Sequence, residues 1–197
     1  MPQEDIVISM LKNNKGYLTA KAARENGVQN YALQRMEGRG LIERAARGLY
    51  VGADTIPDTF AVAQYRCPKG VFSHETALFL HDLSDRMPMQ LMMTIPSGWN
   101  TRLLRDDGIM FFYSAPKYAR LGVVDIETTA GLTVMAYDAE RTLCDCLRSV
   151  HKLDKDLVLD ALKRYMKKPG VDKAKLLEYA AVFKIRDLVL KYMEVLS

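Results

Sequence analysis

The chain has 197 residues, 49% of them hydrophobic, and a formal net charge of +4, enough apolar material for the core of one large domain or of two small ones. No apolar run approaches the roughly 20 residues of a membrane-spanning helix, and the N-terminus lacks the charged-then-apolar order of a secretory signal, so a cytoplasmic protein with no membrane partner is expected. Three cysteines without Cys-x-x-Cys spacing, Cys67, Cys144 and Cys146, argue against a disulfide framework and against a structural zinc site.

The charge is unevenly spread. Residues 1–52 carry 8 basic and 5 acidic side chains, residues 53–150 carry 9 and 12, and residues 151–197 carry 11 and 7. Two basic ends around an acidic middle suit a polyanionic partner, although a solvated lysine face is the simpler reading of any one cluster.

Ile6, Val7, Met10 and Leu11 fall on one face of a first helix, which Asn13-Asn14-Lys15-Gly16 stops. Thr19 stands as the N-cap of a short Ala-rich second helix, with Leu18 before it able to staple onto Ala23, and Gly27 supplies a left-handed C-terminal turn. A third helix starts near Gln29 or Asn30. At about 100° per residue its apolar positions Val28, Ala32, Leu33 and Met36 gather on one side, and Gln34 lands nearly opposite, flanked by Asn30 and Tyr31. Gly38 and Gly40 end it, and residues 41–45 and 49–51 make two strands around a turn at Ala46-Arg47-Gly48. The order predicts an N-terminal winged helix-turn-helix over residues 1–52.

Duplex binding needs a helix slender enough for the major groove, a second helix bracing it, and cations at the rim. The expected DNA-binding residues are Asn30, Tyr31, Gln34 and Arg35 toward base edges, and Lys21, Arg39, Arg44 and Arg47 toward phosphates or the minor groove. The same residues on a protein-docking surface would be solvated polar groups, and Arg24 has Glu25 and Glu37 within reach for weak surface pairing.

Gly-Tyr-Leu-Thr-Ala from Gly16, Asn-Gly-Val at Asn26, Leu-Gln-Arg-Met at Leu33, Gly-Leu-Ile-Glu-Arg at Gly40 and Arg-Gly-Leu-Tyr at Arg47 together resemble the N-terminal domain of the AbiEi antitoxins, regulators of abortive-infection toxin–antitoxin operons. Ser-His-Glu-Thr-Ala-Leu from Ser73, with His81-Asp82-Leu83, and Glu-Arg-Thr-Leu-Cys-Asp from Glu140 are similar to phrases of the same family, Ala139 replacing its usual proline. The resemblance implies a bifunctional type IV antitoxin. Its winged helix would repress its own operon at inverted repeats in the promoter, and its C-terminal domain would help counteract a nucleotidyltransferase toxin without a stable complex. It carries over no toxin-binding residues.

Residues 53–58 read as a linker to a C-terminal domain over residues 59–197. A helix through Phe60, Val62, Ala63 and Tyr65 is followed by one that Ser73 can cap, with Glu75 in its first turn. Residues 89–95, 109–113, 123–127 and 132–136 are strand candidates for one small sheet. Asp138 caps the next helix. Val158, Ala161, Leu162, Tyr165 and Met166 stripe another; Asp172 caps one bearing Leu176, Leu177 and Ala180; and Leu188, Val189, Tyr192, Met193 and Leu196 stripe the last. The fold class expected is α+β, a winged helix-turn-helix followed by a mixed domain with a small sheet and a helical C-terminus. Lys163, Arg164, Lys167 and Lys168 beside the Val158 stripe form a possible secondary DNA contact, against a plain solvent face as the simpler reading.

No catalytic residue, cofactor or metal site is expected. His74 and His81 are seven residues apart, not the i, i+4 pair that grips zinc, and capping or surface roles suit them. Asp82, Asp85, Asp106 and Asp107 form no metal spacing with them. Asp125-Ile126-Glu127 lacks the lysine a metal-dependent nuclease wants two residues on, Thr129 standing there. Two other classes stay open: a one-component repressor sensing a small ligand, and a metal-dependent nucleic-acid-processing enzyme.

Overall fold

The structure, a computed structural model, describes residues 3–100, 108–149 and 152–196. It is a mixed α+β chain that divides into two compact units. The first comprises Met1–Arg66 with Thr128–Leu132, the second Cys67–Glu127 with Thr133–Ser197. The first unit runs past residue 58 and takes in the helix after the expected linker. Among the described residues no helix is long and apolar enough to cross a membrane.

The first unit runs α1 (Gln3–Asn13), β1 (Tyr17–Thr19), α2 (Ala20–Glu25), α3 (Asn30–Gly38), β2 (Ile42–Ala46), β3 (Leu49–Gly52) and α4 (Thr59–Arg66). Its core is Val7 and Leu11 of α1, Leu18 of β1, Ala23 of α2, Val28, and Ala32, Leu33 and Met36 of α3, closed by Ile42 and Tyr50. Each buried Leu, Val or Met contributes about 1.5–3 kcal/mol relative to exposure, so the helical periodicity fixes which side of α3 turns inward. Thr19 caps α2 by accepting from Ala22 N at 3.0 Å, and Gly27 takes a left-handed φ of 79° that lets Val28 N return to Ala23 O at 2.9 Å.

The strand β1 is an addition to the expected elements. It pairs antiparallel with β3, Leu18 opposite Tyr50, giving the sheet order β1-β3-β2. Between β2 and β3 the register shifts at Ala45, an extra residue between Arg44 opposite Tyr50 and Ala46 opposite Leu49, which tightens the turn to Arg47 and Gly48. The turn is tied back at Gly48, whose carbonyl accepts from Ala20 N at 2.8 Å and from the Tyr65 hydroxyl at 3.0 Å.

The second unit holds β4 (Val71–Phe72), α5 (His74–Leu80), β5 (Leu91–Pro96), β6 (Ile109–Ser114), a 3-10 turn (Pro116–Tyr118), β7 (Val123–Glu127), β8 (Thr133–Tyr137) and helices α6 (Ala139–Arg148), α7 (Lys155–Lys167), α8 (Lys173–Val182) and α9 (Arg186–Leu196). The four expected strands are present, joined by a fifth, β4, in the order β6-β5-β4-β8-β7. The pairs β4–β8 and β5–β6 are parallel, and β4–β5 and β7–β8 antiparallel.

Helix α6 is the axis of this unit: Glu140, Arg141, Thr142, Leu143, Cys144, Asp145, Cys146 and Leu147 are all buried. Leu143, Cys144, Cys146 and Leu147 join Val158, Ala161, Leu162 and Tyr165 of α7 and Leu176 and Ala180 of α8 in one core. Asp138 caps α6 through Arg141 N at 2.8 Å and receives Lys175 Nζ at 2.9 Å, while Tyr165 donates to Glu140 Oε1 at 2.8 Å. The three cysteines form no disulfide and are buried, with burial pushing the Cys67 thiol up to about 11 and Cys144 up to about 12.

Gly122, at φ 77°, lies so close to α6 that an added Cβ would stand 2.9 Å from the Arg141 Cβ and 3.1 Å from Asp138 Oδ2. Gly122→Ala combines left-handed strain with that crowding and is expected to cost about 1–3 kcal/mol, read as a lowered urea midpoint. An unchanged midpoint would contradict it.

Candidate nucleic-acid interface

The eight residues expected to meet DNA all belong to the first unit and all are exposed. On α3 the inward side is spent on Ala32, Leu33 and Met36, which leaves Asn30, Tyr31, Gln34 and Arg35 outward, with Tyr31 57% exposed. A phenol so exposed contributes nothing to the core, and with two amides beside it the face presents donors and acceptors. Lys21 lies on α2, Arg39 at the C-cap of α3, Arg44 on β2 and Arg47 in the turn.

These basic residues differ in how far they are committed. Arg35 Nη2 reaches Glu4 Oε1 of α1 at 2.5 Å, and Arg39 Nη1 reaches the same carboxylate at 3.0 and 3.1 Å. One acidic residue thus holds two of the eight, a contact between residues 31 and 35 positions apart that no local pattern announces. The hydrogen bond from Arg35, ahead of the charge and hydrogen bond of Arg39, holds the Glu4 carboxyl below the usual carboxylate range, so the clamp stays ionised at neutral pH. Lys21 pairs with Glu25 at 3.9 Å, both highly exposed, a contact of small worth. Arg24, Arg44 and Arg47 make no ion pair among the described residues.

The secondary cluster on α7 divides. Arg164 is engaged by Asp85 at 2.7 Å and Asp160 at 2.9 Å, and Lys168 donates to His81 O at 3.1 Å, so both serve the unit's own structure. Lys163 and Lys167 face solvent.

Of the capping or surface roles expected of the histidines, His81 takes the first, at the C-cap of α5, and neither histidine is exposed. His81 is half-buried, its Nε2 donating to Tyr137 O at 2.7 Å. His74 is buried at a left-handed φ of 52° and stacks on Phe112 with centroids 3.5 Å apart. Ser73 sits at the N-cap of α5 without a side-chain cap bond; its hydroxyl accepts from Thr94 Oγ1 at 2.8 Å and lies 3.0 Å from His74 Nδ1. Among the described residues no three His, Cys, Asp or Glu side chains gather as a metal site; Asp106 and Asp107 lie outside those residues.

No family model matches the chain, and no curated protein matches it. Among solved structures it is similar to the crystal structure of the Rv2827c protein from Mycobacterium tuberculosis, with a TM-score of 0.68 at 10% sequence identity, covering 95% of this chain and 75% of that one. The two share a fold.

Proposed function

We propose that the first unit is a winged helix-turn-helix that binds duplex DNA, with α3 as the recognition helix and the β2–β3 hairpin as the wing, and that the chain is a transcriptional autorepressor and antitoxin of the AbiEi kind. The observation that carries the DNA reading is the outward face of α3, Asn30, Tyr31 and Gln34, lying on the same unit as a hairpin whose Arg44 and Arg47 have no ion-pair partner among the described residues. The order helix, strand, helix, helix, strand, strand supports it. The antitoxin reading rests on the likeness of the Ser73 and Glu140 phrases and of the N-terminal motifs to that family.

In this reading Asn30 and Gln34 pair with base edges in the major groove, where an amide meets adenine in a bidentate fashion. Tyr31 and Arg35 flank them. Arg44 and Arg47 neutralise phosphates or enter the adjacent minor groove, and Lys21 and Arg39 hold the backbone at the rim. Promoter DNA bearing inverted repeats is the partner, and a nucleotidyltransferase toxin is the functional counterpart.

Fluorescence anisotropy with the chain's own upstream promoter tests it. The Arg44→Ala, Arg47→Ala double variant is expected to bind at least about tenfold more weakly near 0.1 M salt, with the slope of log affinity on log salt shallower by about two, one per lost phosphate contact. Affinity and slope equal to those of the unmodified protein would overturn the DNA assignment. Rescue of cell growth against a co-expressed nucleotidyltransferase encoded beside the gene tests the antitoxin half, and loss of growth would refute it.

A further inference from the structure

The second unit carries a half-open pocket of about 330 Å³, lined from α5, β5, β6, α6 and the turn after α8. Its size falls in the range of small-molecule sites, roughly 300–1,000 Å³. Three cations line it, Arg141, Arg148 and Lys184, against one carboxylate, Asp145. Asp145 is already shared, accepting from Arg141 Nε at 2.8 Å and from Arg148 Nη1 at 3.2 Å. Positive charge therefore remains in excess inside a concave site, where an anion from outside would be drawn.

The groups differ in freedom. Arg141 is 1% exposed and fixed by the carbonyls of Tyr118 and Leu121 at 2.9 and 3.0 Å. The Arg148 side chain is 44% exposed and spreads over the Phe183 ring at 4.7 Å, which leaves a planar fork suited to phosphate oxygens. Phe112 and Tyr118 add aromatic wall. The Ser149 hydroxyl lines the cavity 3.3 Å from His74 Nε2.

The pair Ser149–His74 has the spacing of a nucleophile and its base, but burial first, then Arg141, Arg148 and Lys152, hold the imidazole down to about 3. So weak a base leaves the serine unactivated at neutral pH. What the arrangement offers is a neutral hydrogen-bonding wall under a cluster of cations, which is chemistry for holding an anion rather than for cleaving a bond.

We propose that this cavity binds a small phosphate monoester carrying a planar ring, of the size of a mononucleotide. Its phosphate is taken by Arg148, Lys184 and the Ser149 hydroxyl, and its ring lies against Phe112 and Tyr118. The site is independent of DNA binding by the first unit and stands whether or not that reading holds.

Titration calorimetry on the full chain tests it, using the four 5′-ribonucleoside monophosphates, then adenosine, ribose 5-phosphate, inorganic phosphate and a single-stranded decanucleotide. One or more of the mononucleotides is expected to bind with one site per chain. Adenosine and ribose 5-phosphate are each expected to bind about tenfold more weakly or worse, since each lacks half of the recognised chemistry. Arg148→Ala and Lys184→Ala are each expected to weaken the mononucleotide by about tenfold. Lys184 is exposed, so its variant decides the matter even where Arg148→Ala fails to fold. Absence of mononucleotide binding at about 1 mM would overturn the proposal. So would ribose 5-phosphate or phosphate binding as tightly as a mononucleotide, the decanucleotide binding more tightly than its monomers, or Lys184→Ala leaving affinity unchanged.

Discussion

Replacing Arg141 with alanine is expected to remove about 3–5 kcal/mol of folding stability, the range for breaking a buried ion pair from one side. The side chain is 1% exposed, and its guanidinium satisfies Asp145 Oδ2 and the carbonyls of Tyr118 and Leu121 together while lying 4.3 Å from the centroids of both the Tyr137 and Phe183 rings. Truncation leaves the Leu121 carbonyl without its donor, the Tyr118 carbonyl with Leu121 N alone at 3.2 Å, and a buried carboxylate with the half-exposed Arg148 as its remaining cation. The cost comes from stranded groups rather than from the pair itself. The double change Arg141→Met, Asp145→Leu, which removes both charges and keeps volume, is therefore expected to recover the part of the loss that the stranded carboxylate causes, but not the part from the carbonyls. Urea unfolding of the single and double variants measures both. A single variant that loses under about 1 kcal/mol, the scale of an ordinary exposed pair, would show that the network is not structural.

Under the DNA-binding role proposed for the first unit, replacing Glu4 with glutamine is expected to tighten DNA binding by about tenfold at low salt and to steepen the salt dependence by about one to two. The carboxylate holds Arg35 and Arg39 at once, and its loss both frees two cations and deletes a negative charge that would repel phosphate. The pH dependence follows from the direction of the Glu4 shift. A carboxyl held below its usual range by Arg35 and Arg39 contributes its clamp above the ordinary carboxylate range, and the clamp is lost only as pH falls through the lowered value. Between about pH 5 and 8 Glu4 should therefore add no pH dependence of its own to DNA affinity. Anisotropy titrations of Glu4→Gln over salt and pH check both statements. Weaker binding would mean that Glu4 orients the two arginines for DNA instead of withholding them.

What could be read from the sequence follows a physical divide. The inward side of α3, the Thr19, Asp138 and Asp172 caps and the stripe of α7 depend on contacts within four residues, where periodicity and capping chemistry act directly. Strands β1 and β4 escape such reading because three and two residues are too few to display alternation; pairing with residues far along the chain makes them strands. The same holds for the candidate sites. The exposure of Asn30, Tyr31 and Gln34 is legible from helical phase alone, whereas the hold of Glu4 on Arg35 and Arg39 is a tertiary fact. His74 shows the limit most clearly. Its place in the first turn of a helix suggests a capping or surface role, but its packing against Phe112 of β6 depends on how α5 meets the sheet, and that turns an apparent helix opener into part of a cavity wall.

The five-stranded sheet owes its continuity to a very narrow join. Strand β5 lies against β6 over six residue pairs and β7 against β8 over five, yet the strand between these two ribbons contributes only Val71 and Phe72, the latter meeting Met93 on one side and Ala136 on the other. Few backbone pairs span this isthmus, so side-chain burial has to carry what the hydrogen-bond ladder does not. The apolar packing of Phe72, wholly shielded from solvent, supplies cohesion at a join that backbone pairing alone spans thinly.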